Sequence, residues 1–177
     1  MDVFKLIDTY YPEENKLKHI LLTHSKQVTD LALKLASQKQ LSIDADFVYE
    51  AAMLHDIGIF MTHAPTIACF GNQPYLAHGY LGAELLRKEG YPRHALVCER
   101  HTGAGVSKEE VLSFHIPVPV KDMIPQSIEE KLICFADTFY SKTQLEKEKT
   151  LVEARESIAI HSSEGLKRFD DWCELFL

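Results

Sequence analysis

Apolar residues recur at steps of three and four along most of this chain, the spacing that gathers them on one face of an α-helix. From Lys16 to Gln38 the positions Leu17, Ile20, Leu21, Val28, Leu31 and Leu35 follow it, which predicts one long helix after Pro12. Asp44 suits the cap of a second helix starting at Ala45 and running to about Ile57, with Gly58 as its exit. The stretch "MTHAPTIACFGNQPYLA" breaks the period with two prolines and a Gly-Asn pair and reads as a long irregular loop over 60–77. "HGYLGAELLRKEG" then predicts a helix closed by Gly90, and Pro92 opens another that ends near His101.

Two Ser-x-x-Glu pairs, Ser107 with Glu110 and Ser127 with Glu130, read as capping boxes. The first starts a short helix and the second a longer one running to about Lys142. "IPVPVKDMIP" between them is extended, since each proline pushes its predecessor out of helical geometry. Two more amphipathic helices are expected over 151–160 and 165–176. No two alternating runs could pair as a sheet, so the expected fold is all-α. At 177 residues it forms one domain, with a core over about 17–142 and the C-terminal helices, about 150–177, packed on it.

Composition narrows the function. No run of about eighteen apolar residues occurs, so no membrane span is expected. The start of the chain lacks the basic n-region of a signal peptide, and a cytoplasmic location is the expectation. The four cysteines, none in a Cys-x-x-Cys pair, suit reduced and mostly buried thiols. A formal charge of −7 argues against general nucleic-acid binding. It leaves room for a small phosphorylated substrate, because a bound metal reverses the local field.

The chemistry rests on histidines and aspartates in apolar surroundings. "AAMLHDIGIF" (51–60) places His55 and Asp56 side by side near a helix end. With nine His and ten Asp in the chain, chance alone yields about half such a pair, so the pair is weak by itself. Context strengthens it: His24 lies inside the long helix, His78 opens a later helix, His101 closes another, and Asp137 sits in the apolar "CFADTFY". A buried carboxylate is expensive unless a cation answers it. Neutral imidazoles with charge-neutralising oxygens are what a divalent metal requires, and four His and two Asp suffice for two ions bridged by Asp56. Each residue also has a plainer reading. His24 could be a hydrogen-bonded helical group, His78 a residue near a helix start, His101 a helix-dipole partner, and Asp137 the partner of a lysine such as Lys131 or of an arginine.

His24, "HDIG" at 55–58 and Asp137 resemble the H…HD…D signature of the HD-domain superfamily of metal-dependent phosphohydrolases, and "HDIG" is the tetrapeptide that names one subgroup. "AHGYLGAELL" and "CERHTGAG" are similar to the segments that supply a second histidine pair in dinuclear branches. The resemblance covers about 17–142. It implies a helical core with the metal centre between the helices. His24, His55, Asp56 and Asp137 would hold the first ion, and Asp56, His78 and His101 the second. The polar pair then ends its helix because both side chains point into a metal site, with Gly58 letting the chain leave sharply.

The activity so implied is hydrolysis of a phosphate ester or anhydride of a small, nucleotide-like substrate by a metal-bridging hydroxide. The cofactors are divalent ions, two of them, drawn from Fe, Mn or another transition metal. Asp56 is the central catalytic residue. His63 could donate a proton or hold a phosphate, or be a surface-loop histidine. Arg100 could meet substrate phosphate, whereas Lys121 and Arg87 read as solvated charges. The 60–77 loop is the expected lid and specificity element. The same ligands serve a diiron oxygenase of the superfamily, and a non-catalytic ligand-binding domain is a third reading. The ligand residues do not separate the first two. Monomer and homodimer both stay open.

Overall fold

The computed structural model describes residues 1–177. Nine α-helices carry the fold: α1 Val3–Tyr10, α2 Lys16–Gln38, α3 Ala45–Leu54, α4 His78–Lys88, α5 Pro92–Arg100, α6 Lys108–Ser113, α7 Ile128–Asp137, α8 Leu151–Ala159 and α9 Ser163–Phe176. The all-α expectation holds with one correction. Within the 60–77 segment three very short strands, β1 Thr62–Ala64, β2 Cys69–Phe70 and β3 Gln73–Pro74, form a sheet in the order β2-β1-β3. β2 is antiparallel to β1, with His63 opposite Phe70, and β3 is parallel to it, with Thr62 opposite Gln73. Strands of two and three residues are too short to show an alternating pattern.

Two further corrections concern helix ends. α3 stops at Leu54, three residues before its expected end, and α7 stops at Asp137, five residues early. At α7 the Thr138 hydroxyl donates to the Phe135 carbonyl, 2.7 Å away. The returning chain takes the next acceptors, with Lys149 N–H bound to the Phe139 carbonyl at 2.8 Å and Lys149 Nζ to the Thr138 carbonyl at 3.0 Å. Those bonds replace a further helical turn and leave Lys142 on a turn. The amino-terminal segment, read above only for the signal it lacks, is helix α1. Asp2 caps it by accepting from Lys5 N–H, and it buries Val3, Leu6 and Ile7 at three- and four-residue spacing.

The Ser107 capping box is complete in both directions. At Ser127 only one half forms. The serine accepts from Glu130 N–H, but the Glu130 carboxylate turns instead to Gln126 N–H and Arg100. Gly90 does close α4, at φ +85°, as expected.

Two apolar clusters build the interior. One joins Val28, Ala32 and Leu35 of α2 to Phe47 and Ala51 of α3, Leu132 and Phe135 of α7, and Phe169, Trp172 and Phe176 of α9. The other joins Ile7 of α1, Ile20 and Leu21 of α2, Leu54 of α3, Ile57 and Ile59 just past it, Leu86 of α4 and Cys98 of α5. The C-terminal helices thus share the first cluster, and Phe176 docks on the chain's own core. On α2, His24 falls between Leu21 of one cluster and Val28 of the other. The polar centre sits where the two cores meet.

Candidate metal centre

Six side chains from five segments converge at that seam: His24 from α2, His55 and Asp56 just past α3, His78 and His101 from the start of α4 and the end of α5, and Asp137 from the last residue of α7. All but Asp137 are buried, and Asp137 is half-buried. A helix end can be buried only if its orphan carbonyls find donors. Here Cys98 Sγ lies 3.1 Å from the Leu54 carbonyl and 3.0 Å from that of His55, and the Tyr11 hydroxyl donates to the Ile57 carbonyl at 2.8 Å. The two polar residues are therefore held by a satisfied backbone and are free to face inward.

Gly58 corrects the reading of a sharp exit. Its φ is −83°, which any residue adopts. A Cβ there would lie 2.3 Å from the His78 carbonyl oxygen and 2.4 Å from Gly82 N, both backbone atoms of α4. Glycine is required because two backbones touch, and this contact sets His78 against Asp56.

Asp56 divides the cluster by its two oxygens. Oδ2 lies 3.2 Å from His24 Nε2 and 3.2 Å from His55 Nε2. Oδ1 lies 3.3 Å from His78 Nε2 and 3.4 Å from His101 Nε2. Asp137 Oδ1 completes the first group, 2.9 Å from His24 Nε2 and 3.5 Å from His55 Nε2. Three imidazoles are oriented alike. His55, His78 and His101 each use Nδ1 against the carbonyl three residues earlier, at 2.6, 2.7 and 2.7 Å. An Nδ1–H committed to a carbonyl fixes the ring so that Nε2 is the nitrogen turned to the centre, the one that would bind a metal. Tyr75 stacks on His78 with ring centroids 4.7 Å apart and braces it from outside.

These residues fit a metal ion. Nε2 of His55 and His24 are 3.3 Å apart, and those of His78 and His101 are 3.0 Å apart. Neighbouring ligands around one ion with bonds of about 2.1 Å are separated by about 3 Å. Both oxygens of Asp56 are buried without an aligned hydrogen bond, although cationic and imidazole nitrogens surround them. Two ligand triads, His24–His55–Asp137 and His55–Asp56–His101, bring their donor atoms within 4.8 Å of one another.

The electrostatics point the same way. Burial by itself would lower His55, but the Asp56 and Asp137 carboxylates outweigh it and raise its pKa to about 10. Burial dominates at His78 and pushes it down to about 3. For Asp56 burial works to raise the pKa; Lys142 and His55 overcome it and hold the carboxyl well below its usual range. The field on the Asp56 Oδ2 side attracts positive charge.

Lys142 was not singled out from the sequence. Its Nζ lies 2.6 Å from Asp56 Oδ2, and its side chain is 11% exposed. The only clue was its place five residues beyond Asp137, and it disappears if the helix is extended to 142. Lys131, considered as a partner for Asp137, is replaced in that role by His24. Beside the cluster lies a cavity of about 920 Å³ lined by Asp137, Lys142 and Lys149 on one side and by Tyr75, Ala104 and Phe114 among others. Ala64, Thr66 and Ile67 of the 60–77 segment form part of its wall.

The structure does not bring His63 or Arg100 to the cluster. His63 is exposed on β1, alternating with Thr62 and Ala64, of which Ala64 faces the cavity. Arg100 Nη1 binds Glu130 Oε2 at 2.8 Å, away from the cavity. Arg87 and Lys121, expected as solvated charges, both pair with buried Glu99, at 3.1 and 2.6 Å. That carboxylate needs cations, and the two long side chains supply them. Arg100→Met is accordingly expected to cost about 2 kcal/mol of stability by stranding Glu130. Metal content should be unchanged, as urea unfolding and elemental analysis of the purified variant would show.

The model of the HD domain matches residues 21–142. The chain belongs to the HD domain family. Among curated relatives of this HD protein, the uncharacterized protein MJ0778 of Methanocaldococcus jannaschii is 36% identical over 132 residues, covering 74% of the chain and 69% of the relative. The tRNA (cytidine(56)-2'-O)-methyltransferase of Picrophilus torridus is 30% identical over 164 residues, covering 87% of the chain. Its namesake from Thermoplasma volcanium is 32% identical over 122 residues, covering 68% of the chain. The chain spans 44% and 32% of the length of these two methyltransferases. Among solved structures, the HD domain of the L. monocytogenes phosphodiesterase PgpH superposes with a TM-score of 0.55 at 17% identity, covering 96% of this chain and 94% of that one. The same domain in complex with cyclic-di-AMP gives 0.54 at 19% identity, covering 97% and 94%. These likenesses establish the helical HD fold.

Proposed function

We propose that this HD protein is a metal-dependent phosphohydrolase that cleaves a phosphate ester or anhydride of a small, nucleotide-like substrate. The observation that carries the reading is the division of Asp56, one oxygen facing His24 and His55 and the other facing His78 and His101. In this reading His24, His55, Asp56 and Asp137 hold one divalent ion, and Asp56, His78 and His101 hold a second. When bound, such a pair supplies Lewis acidity and a hydroxide at neutral pH.

The chain's own residues do the rest. Asp56 would offer one oxygen to each position. The Nδ1 bonds of His55, His78 and His101 fix tautomer and ring orientation, so the ligands need no reorganisation during the reaction. The apolar clusters on either side keep bulk water from the buried face. The adjoining cavity offers substrate an approach on the Asp137 side, where Lys142 and Lys149 provide positive charge for phosphoryl oxygens. A phosphodiesterase and its cyclic-di-AMP complex share the fold, which supports a nucleotide-like substrate.

The test is release of phosphate or nucleoside monophosphate by Mn²⁺-loaded protein across nucleotides, cyclic dinucleotides, dinucleoside polyphosphates and sugar phosphates. Turnover that a chelator abolishes and Mn²⁺ restores is the expected result. Silence on that panel, together with oxygen uptake by iron-loaded protein, would instead assign the centre to an oxygenase.

A further inference from the structure

Lys142 brings an aliphatic ammonium among prospective cation ligands. It lies on Asp56 Oδ2, the oxygen that faces His24 and His55, and it also lines the cavity with Asp137, Ser141 and Lys149. Its four-carbon stem rises from the turn after α7, outside any helix, so its ammonium can swing without moving an element. The other charged groups beside it are Asp137 and Lys149, and the Tyr75 phenol faces it from the 60–77 segment. The remaining ligands of the first group, His24 and His55, meet the same oxygen through Nε2, each at 3.2 Å. One carboxylate oxygen therefore has two prospective cationic partners: the ammonium of Lys142 and an ion held by His24, His55 and Asp137.

We infer that Lys142 and the first metal ion compete for Asp56 Oδ2, and that the ion's arrival frees the Lys142 ammonium to bind a substrate phosphoryl oxygen in the adjoining cavity. This deepens the phosphohydrolase reading and rests on it. Lys142 would then act twice, as an internal counter-charge that keeps Asp56 from being buried unpaired and as a phosphate-binding residue once Asp56 is ligating. It also couples the two events, since the Lys142 ammonium is free to meet phosphate only after the metal has bound.

The sign of the effect distinguishes this role from a structural one. A lysine that merely supports the site would, on removal, weaken metal and phosphate binding together. A competing lysine would, on removal, strengthen the first and weaken the second. Titration calorimetry with Mn²⁺ alone, then with inorganic phosphate on Mn²⁺-loaded protein, should show Lys142→Met binding the first Mn²⁺ about tenfold more tightly and phosphate about tenfold more weakly than wild type. Equal or weaker Mn²⁺ binding by a folded variant overturns the inference. Wild-type protein that binds no Mn²⁺ would instead sink the metal-centre reading beneath it.

Should Lys142→Met not fold, wild-type protein answers the same question. Lysine ammonium ¹H–¹⁵N spectra should contain one slowly exchanging signal after chelator treatment. That signal should move when Zn²⁺ is added and move again on adding inorganic phosphate. Zn²⁺ binding that leaves every lysine ammonium signal in place overturns the proposal.

Discussion

Asp56→Ala is expected to lose both metal ions together and to lower phosphate release by at least about 10³-fold, equivalent to about 4 kcal/mol of transition-state stabilisation. Both of its oxygens are engaged, one with each histidine pair, so its loss removes an oxygen from both groups. Elemental analysis after Mn²⁺ loading should give two equivalents for wild type, one for His24→Ala or His78→Ala, and none for Asp56→Ala. An Asp56→Ala protein that retains one equivalent would show the groups to be independent.

The same substitution has a second effect, visible in chelator. It strands the Lys142 ammonium beside a cavity edge with its nearest carboxylate gone, which costs about 3 kcal/mol. Chemical denaturation of metal-stripped protein would read that loss separately from activity. Asp56→Asn keeps the volume but not the charge. It should lose the metals as completely, and its stability should fall between the other two.

The convergence of the six histidine and aspartate side chains was legible in the sequence. The six converging side chains lie where helical periodicity breaks polar into apolar faces, and a buried charge in such a face demands a partner. Residues whose roles depend on where a helix stops were less accessible. Lys142 faces Asp56 only because α7 ends at Asp137, and that end is set by bonds from Thr138 and from Lys149, a dozen positions further on. Periodicity does not see such bonds. Arg100 misled for a related reason. A cation next to a ligand in sequence points about 100° away from it on a helix, and here a carboxylate freed from its own capping box was waiting there. His63 shows the rule in β geometry, since alternation along β1 turns it outward while Ala64 meets the cavity.

Gly58→Ala is expected to damage the centre although it replaces no ligand. The added Cβ would fall 2.3 Å from the His78 carbonyl oxygen, 2.4 Å from Gly82 N and 2.9 Å from Gly82 Cα. All three are backbone atoms of one helix, so no side chain can rotate away and α4 must shift as a body. A cost of about 3 kcal/mol follows, lowering the melting temperature by about 9 °C in a chain of this size. His78 opens α4 and rides with it, so the second metal equivalent should be lost while the first is kept. Gly90→Ala is the control. It sits at φ +85° with nothing within 4 Å of the new Cβ, so it suffers only the left-handed backbone penalty, about 1 kcal/mol. It should keep both ions. If the two variants melt alike and bind metal alike, the crossing of backbones at Gly58 is not what positions His78. If Gly58→Ala alone drops to one equivalent, the glycine of "HDIG" is explained by helix contact and not by turn geometry.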